Sequence, residues 1–185
     1  MILNKFGTMK YDGYTLPNIT TNLGLTYDLI KSQFIFREYT IVGAPRPEQL
    51  SHMIYGSTDY EWVLLLVNGV IDPWYGWIKP DDVVRAYAEK KYATFGGAEG
   101  THHYIDPQTG EEYYDLHKPD SNVDIWYNTL DTSRVYPQFE GALIRVTNVE
   151  YEIDENEKLR KIIIVRPSDI RSFVDAFERT HNGRS

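Results

Sequence analysis

Cysteine is absent from this chain, which excludes disulfides, zinc–thiolate sites and cysteine nucleophiles. That absence does not identify a redox compartment. Long apolar runs are missing too. The longest, Trp62-Val63-Leu64-Leu65-Leu66-Val67, is far too short to span a bilayer. The opening MILNKFGTMKYDGY has no apolar core of the kind a secretory signal needs, so synthesis and use in a cytosol-like compartment are expected. Positive charge is scarce. A net charge of −8 disfavours bulk attraction to nucleic acid or to an anionic membrane. No G-x-S-x-G, phosphate-loop or H-E-x-x-H pattern occurs, and Gly96-Gly97 lacks the Lys and Ser/Thr of a phosphate cradle. There is no internal repeat, low-complexity segment or heptad array.

What is present points to a packed protein. At 185 residues and 42% hydrophobic, the chain can form one domain or a small domain with elaborations. Aromatics reach 14%, with 15 Tyr and 4 Trp. Most fit a core and sheet faces; the remainder fit contact anchors, because Tyr and Trp are favoured at protein interfaces. Charge is unevenly spread. Residues 99–157 carry 14 acidic against 3 basic side chains, whereas residues 158–185 carry 7 basic against 3 acidic. Such a dipolar chain suits electrostatic registration against protein neighbours, and equally an ordinary solvated acidic face.

Residues 39–78 organise the chain. Tyr39-Thr40-Ile41-Val42 reads as a strand stopped by Gly43 and Pro45. A helix starts near Pro47, with Leu50, Met53 and Ile54 on one face and Gly56 as its break. Thr58 and Glu61 have the capping-box spacing, and the following helix is apolar almost all round, so it should be buried. Asp72-Pro73-Trp74-Tyr75-Gly76-Trp77-Ile78 then sets three large aromatics around a glycine.

Elsewhere the signals vary in strength. Residues 1–38 read as a weakly structured N-terminal arm with turns at Tyr11-Asp12-Gly13-Tyr14 and Leu16-Pro17-Asn18, loop over residues 20–24, a short helix starting at residues 27–30, and a strand at Phe34-Ile35-Phe36. Pro80, Asp81 and Asp82 open a helix with Val84, Tyr87 and Ala88 on its buried face. Gly96-Gly97 is the best internal boundary. Hairpin strands are expected at residues 103–105 and 112–116 around the turn 106–110, with an extended piece at 123–127. Residues 143–153 read as a strand, with Val149, Tyr151 and Ile153 alternating against Glu150, Glu152 and Asp154, and Asp154-Glu155-Asn156-Glu157 reads as a reversing loop. The run Ile162-Ile163-Ile164-Val165 is apolar on both faces, so this strand is covered on both sides or joins an intermolecular sheet. Pro167 ends it, and Ser168 caps a last helix with Ile170, Phe173, Val174 and Phe177 on one face, closed by Gly183.

Enzymatic chemistry would have to draw on the acids and the five His. His102, His103 and Asp106 come nearest to a metal cluster, but adjacent strand residues point to opposite faces. The carboxylate pairs Glu111-Glu112 and Asp81-Asp82 have no accompanying signature of glycoside hydrolysis. No catalytic residue, metal ligand or cofactor is assigned.

Pro45-Arg46-Pro47-Glu48, Ile54-Tyr55-Gly56, Trp62-Val63-Leu64-Leu65, Asp72-Pro73-Trp74-Tyr75-Gly76-Trp77-Ile78, Tyr136-Pro137-Gln138 and Asn156-Glu157-Lys158-Leu159-Arg160 occur in one order. Together they resemble the LysM-containing baseplate wedge subunit of T-even-like contractile-tailed phages. The resemblance covers most of the chain from about residue 39 to the final helix. It implies an α+β fold: a LysM-like βααβ module with an appended helix over residues 39–95, following the 1–38 arm, then antiparallel hairpins and a C-terminal amphipathic helix over 96–185. It also implies a structural, non-enzymatic virion protein, assembled in the host cytoplasm, that joins other wedge proteins and helps neighbouring wedges close into the baseplate ring around the hub. Trp74, Tyr75, Trp77, Tyr136, Pro137 and Gln138 are the expected interface residues. Gly43, Arg46, Tyr55, Gly56 and Asn68 are the expected lining of a LysM-like groove. The groove's usual entry and exit motifs are replaced here by Gly43-Ala44-Pro45-Arg46-Pro47-Glu48-Gln49-Leu50 and Trp74-Tyr75-Gly76-Trp77-Ile78, which fits a module recruited as a structural adaptor. Peptidoglycan binding is the alternative function.

Overall fold

The computed structural model describes residues 8–17, 23–119 and 123–182. The features expected at Asn18, at residues 20–22 and at Gly183 lie outside these.

The chain begins with a hairpin. Strands β1 (Thr8–Tyr11) and β2 (Tyr14–Pro17) pair antiparallel, and Asp12 and Gly13 close the turn at φ 48° and 80°. Two left-handed residues give a turn whose twist matches that of the strands. Helix α1 (Leu23–Ile30) contains the residues 27–30 where a short helix was expected to start, but begins earlier, at Leu23. Leu23 and Ile30 are buried in a core cluster, so tertiary packing supports its first turn. A single strand, β3 (Phe36–Thr40), replaces the two short ones expected around it.

Helix α2 (Pro47–Tyr55) starts with Pro47 in its first turn and stops at Gly56, which sits at φ 75°. Leu50 is buried, but Met53, expected beside it, faces solvent. Ser51 takes that inward place, its hydroxyl donating to the Ser57 carbonyl at 2.6 Å. The turn into α3 (Glu61–Val67) is capped by Ser57, whose Oγ accepts from the Asp59 amide, and not by Thr58. Two bonds close α3: Val70 N–H to Leu65 C=O at 2.9 Å and Gly69 N–H to Leu66 C=O at 3.1 Å. This is a Schellman end, with Gly69 at φ 65° supplying the left-handed residue.

A single turn, α4 (Pro73–Gly76), precedes α5 (Asp81–Lys91), which carries Asp81 and Asp82 in its first turn and Lys90 and Lys91 in its last, complementing the helix dipole. Val84 and Ala88 are buried as expected; Tyr87 is not. Strands β4 (Thr101–Ile105), β5 (Glu112–Tyr113), β6 (Leu116–His117), β7 (Ile125–Asn128), β8 (Phe139–Glu140) and β9 (Ile144–Thr147) follow. They form two small antiparallel sheets, ordered β5-β4-β9 and β6-β7-β8.

The largest departure from expectation comes next. Residues 148–158 are a helix, α6 (Asn148–Lys158), and not the end of a strand and a loop. Val149 and Ile153 lie one turn apart against Ala88, Ala98 and Tyr92. The Glu150 carboxylate accepts from the Thr147 amide at 2.7 Å while Thr147 Oγ1 accepts from the Glu150 amide at 3.3 Å. Thr147-x-x-Glu150 is thus the working capping box of this chain. Strand β10 (Lys161–Val165) and helix α7 (Ile170–Asn182) complete the fold, with a 3-10 turn at Pro167–Asp169 that contains Ser168.

Packing divides the chain into two units, residues 1–79 with 158–185 and residues 80–157. This division falls at Lys79 and Lys158, not at the expected residues 38 and 95, and groups the last strand and helix with the first unit. The fold is mixed α and β, and among the described residues every strand pairing is antiparallel. In the first unit β10 pairs with β3 in the register Ile163 to Glu38 and Val165 to Phe36. One face of this ribbon presents Ile163, Val165 and Phe36 to Trp62, Val63, Phe173 and Phe177. The other presents Ile162, Ile164 and Ile41 to Leu50, Leu64 and Trp77. The continuous apolar run is covered on both sides within the chain. In the second unit Tyr104 packs on Trp126 and Tyr113 on Phe139, with ring centroids 4.6 and 5.1 Å apart.

Asn68 fastens the first unit's ribbon to α3. Its amide nitrogen donates to the Leu64 and Ile163 carbonyls, and its oxygen accepts from the Ile163 amide, each at 2.8 Å. Replacing Asn68 with Ala leaves both Ile163 backbone groups unpaired in a half-buried place, and should lower unfolding free energy by about 2 kcal/mol. Asn68→Asp keeps the acceptor for the Ile163 amide but sets its second oxygen against the Leu64 and Ile163 carbonyls, and should lose at least as much. Chemical denaturation of the three proteins checks the order.

Candidate functional site

The first candidate surface grows from the end of α3. After the Schellman turn, Asp72 Oδ1 accepts from the Trp74 amide at 2.8 Å, and Pro73 starts the single turn of α4. Gly76 packs tightly here: a Cβ on it would stand 3.0 Å from Val70 Cγ1. The chain then dives inward. Trp77 is only 4% exposed and its indole Nε1 donates to the Pro45 carbonyl at 2.8 Å. Ile78 follows it into the core.

This geometry splits the three expected anchors. Trp74 and Tyr75 are 71% and 67% exposed, whereas Trp77 is a core residue that holds the turn beneath them. Trp77 has to be withdrawn from the surface set because its indole fills the layer between α2 and the ribbon. Ile71 joins the patch instead, 98% exposed. Neither strand nor helix periodicity reaches Ile71; its signal was its place between a Gly-led helix stop and the Asp-Pro of a new cap.

The second candidate surface is the loop between β7 and β8, in the other unit. Asp131 organises it. Its carboxylate accepts from Ser133 Oγ at 2.8 Å and from the amides of Arg134, Val135 and Tyr136 at 3.0, 3.1 and 3.2 Å. These bonds, the Ser133 hydroxyl first, hold its carboxyl below the usual aspartate range. Arg134 takes a left-handed conformation at φ 54° to let three successive amides converge. Asn128 Oδ1 accepts from the Leu130 amide at 2.9 Å, and the Gln138 amide ties the loop's far end to the Trp126 carbonyl at 2.8 Å. Tyr136, Pro137 and Gln138 are exposed as expected, joined by Leu130 and Val135. Leu130 and Val135 were missed, although an Asp followed by Ser two residues on is a readable turn signal.

The five groove residues serve the fold at separate places. Gly43 is left-handed and its carbonyl accepts from Arg160 Nη1 at 2.9 Å. The Arg46 amide donates to Gln49 Oε1 at 2.9 Å, at the start of α2. Tyr55 donates its hydroxyl to the Val165 carbonyl at 3.2 Å and packs edge-on against Tyr60. Gly56 ends α2, and Asn68 is committed to Ile163. Asn68 lines a cleft of about 520 Å³ with Glu38, Tyr39, Thr40, Val67 and residues 161–163, and the other four do not reach it.

The histidine pair corrects the sequence reasoning in another way. Residues of β4 shift register against β9 between Thr101 and His103. The bulge removes the alternation that would send His102 and His103 to opposite faces. Their Nδ1 atoms lie 2.8 Å apart, His102 stacks on Tyr151 at 3.8 Å, and His103 is buried beside Tyr114. Burial, with His103 adding to it, pushes the His102 imidazole below its ordinary range. Asp106 is not directed at them: it accepts from the Gln108 amide and Thr109 hydroxyl of its own turn. Among the described residues no group of three or more His, Asp or Glu has metal-holding geometry. Glu111 and Glu112 accept from the hydroxyls of Tyr113 and Tyr114, which ties both acids to the hairpin.

Two surfaces present exposed apolar side chains, each held by hydrogen bonds from beneath. The family model described as base plate wedge protein 53 matches residues 3–180. A curated relative, the baseplate wedge protein gp53 of Enterobacteria phage T4, is 43% identical over 139 residues, covering 75% of this chain and 70% of the relative. The chain belongs to the base plate wedge protein 53 family.

Proposed function

We propose that this wedge protein acts as a joining subunit, using its two presented surfaces to hold other wedge components and to help adjacent wedges associate into the ring around the hub. Its role is structural and its place is the tail baseplate of a phage virion. The observation that carries the finer reading is the exposure of Ile71, Trp74 and Tyr75 on a turn fixed by Trp77 and Asp72. Rigid aromatic side chains presented this way lose little entropy on burial and make strong anchors. Assembly takes place in the host cytoplasm, before the particle is released.

The LysM resemblance takes a specific form. Strand β3, helices α2 and α3, and strand β10 follow one another in the βααβ order, and β3 and β10 pair antiparallel. We read this as a LysM-like module whose closing strand comes after the inserted unit 80–157. Glycan binding is not the favoured use, since Tyr55 and Asn68 of the expected groove spend their side-chain polar groups on backbone partners.

Trp74→Ala with Tyr75→Ala should reduce incorporation into wedges that lack this chain by about tenfold or more, at an unchanged unfolding midpoint. Trp77→Ala, by contrast, should cost about 3–5 kcal/mol of stability. Gradient sedimentation of reconstituted wedges and thermal unfolding read the two effects; incorporation of the double variant at the wild-type level sinks the anchor patch.

Asp131→Ala should loosen the second loop, seen as faster proteolysis at residues 131–136 of the free protein and as weaker incorporation. Acid should do the same. The folded-state pKa of Asp131 is lowered, so its contribution is complete above the ordinary aspartate range and is lost as pH falls through the lowered value. Proteolysis of wild type across that range, with the Ala variant as a pH-insensitive control, checks the sign.

A further inference from the structure

Strand β10 has two edges, and both are occupied. One pairs with β3. On the other, Asn68 satisfies the amide and carbonyl of Ile163, and the Tyr55 hydroxyl donates to the Val165 carbonyl. Strand β3 has one edge occupied. The Ile41 amide donates to Arg160 C=O at 2.9 Å and the Arg166 amide donates to Ile35 C=O at 3.1 Å, so the odd-numbered residues of this segment face β10. Antiparallel alternation then turns the N–H and C=O groups of Phe36, Glu38 and Thr40 outward. Ile163, opposite Glu38, spending both of its backbone groups on Asn68 requires the same parity. Among the described residues no strand pairs with that edge.

We propose that the outer edge of β3 accepts an added strand from another baseplate component, a proposal that rests on the wedge role above. Donors and acceptors repeating along an extended edge fit only another extended backbone, and such edges are the usual template for strand addition. Side chains narrow the choice of occupant. Arg37, Glu38 and Thr40 are exposed, so a strand with a basic residue opposite Glu38 is favoured. A second copy of this chain is disfavoured, because the antiparallel self-pairing that uses all three positions sets Glu38 against Glu38. The cleft along Glu38, Thr40, Val67, Asn68 and Lys161 lies on the same face of the ribbon and offers room for one side chain of the added strand. The occupant is therefore an extended segment of a different protein, with a cation placed to meet Glu38.

Proline separates this edge from the rest of the fold. Glu38→Pro removes an N–H that has no partner inside the chain, and proline is tolerated on edge strands where the N–H faces outward. Tyr39→Pro removes an N–H directed at β10 and serves as the destabilising control. Wedges assembled without this chain are mixed with wild type, E38P or E38K and separated on a gradient, and amide hydrogen exchange is followed for free and incorporated wild type. The expected result is wild-type incorporation, with E38P and E38K reduced about tenfold and E38P unfolding at the wild-type midpoint. The amides of Glu38 and Thr40 should exchange at least about tenfold more slowly in the wedge. Incorporation of wild type with edge amides exchanging as in the free protein overturns the proposal and leaves the wedge role standing, whether or not E38P folds. Failure of wild type to incorporate overturns both.

Discussion

The pairing of β10 with β3 is the constraint that the first unit is built around. A strand reading Ile-Ile-Ile-Val is stable in water only if both faces are covered, and a two-stranded ribbon alone covers neither. Helix α3 resolves this by contributing to both layers: Trp62, Val63 and Val67 to one and Leu64 to the other. Helices α1 and α7 complete the first layer, and α2 with Trp77 and Ile78 completes the second. The aromatic excess of the chain is spent largely here, with Tyr27, Phe34 and Phe36 arranged around Phe173.

The same economy governs the surfaces. Trp74 and Trp77 stand three residues apart and have opposite fates, because only Trp77 finds a carbonyl for its indole N–H inside the molecule. An indole that is buried needs such a partner; one that is exposed keeps its apolar face available. In the second unit Asp131 plays the equivalent part with a carboxylate, gathering three amides so that Leu130, Val135 and Tyr136 project together. Both patches are braced by hydrogen bonds within the chain.

Much of this was legible in the residues. Proline at the start of α2, Gly56 at its end, the buried α3, the acidic opening of α5, the 106–110 turn and the period of α7 all follow from local chemistry that the tertiary structure does not override. The failures have physical causes. Val149, Tyr151 and Ile153 alternate with acids, but Val149 and Ile153 also stand four apart, and that ambiguity is decided by the Thr147–Glu150 box, which had gone unread. Helix α1 was legible only over residues 27–30, and its first turn packs on residues far along the chain. The bulge at Thr101–His103 is invisible to any rule of alternation. Of the residues expected at an interface, Trp74, Tyr75 and the Tyr136-Pro137-Gln138 segment are exposed, while Trp77 shows that aromatic density alone does not tell an exposed ring from a buried one.

The postponement of β10 also bears on how the protein is made. A chain synthesised from its N-terminus produces β3, α2 and α3 long before the strand they enclose. Until Val165 has left the ribosome, the apolar faces of α3 and β3 have no ribbon to pack on, while unit 80–157 already holds all of its own strands. Pairings this distant in sequence are slow to form and leave sticky surface open in the interval. The inserted unit is thus expected to fold first on the nascent chain, and the segment that encloses it to close last.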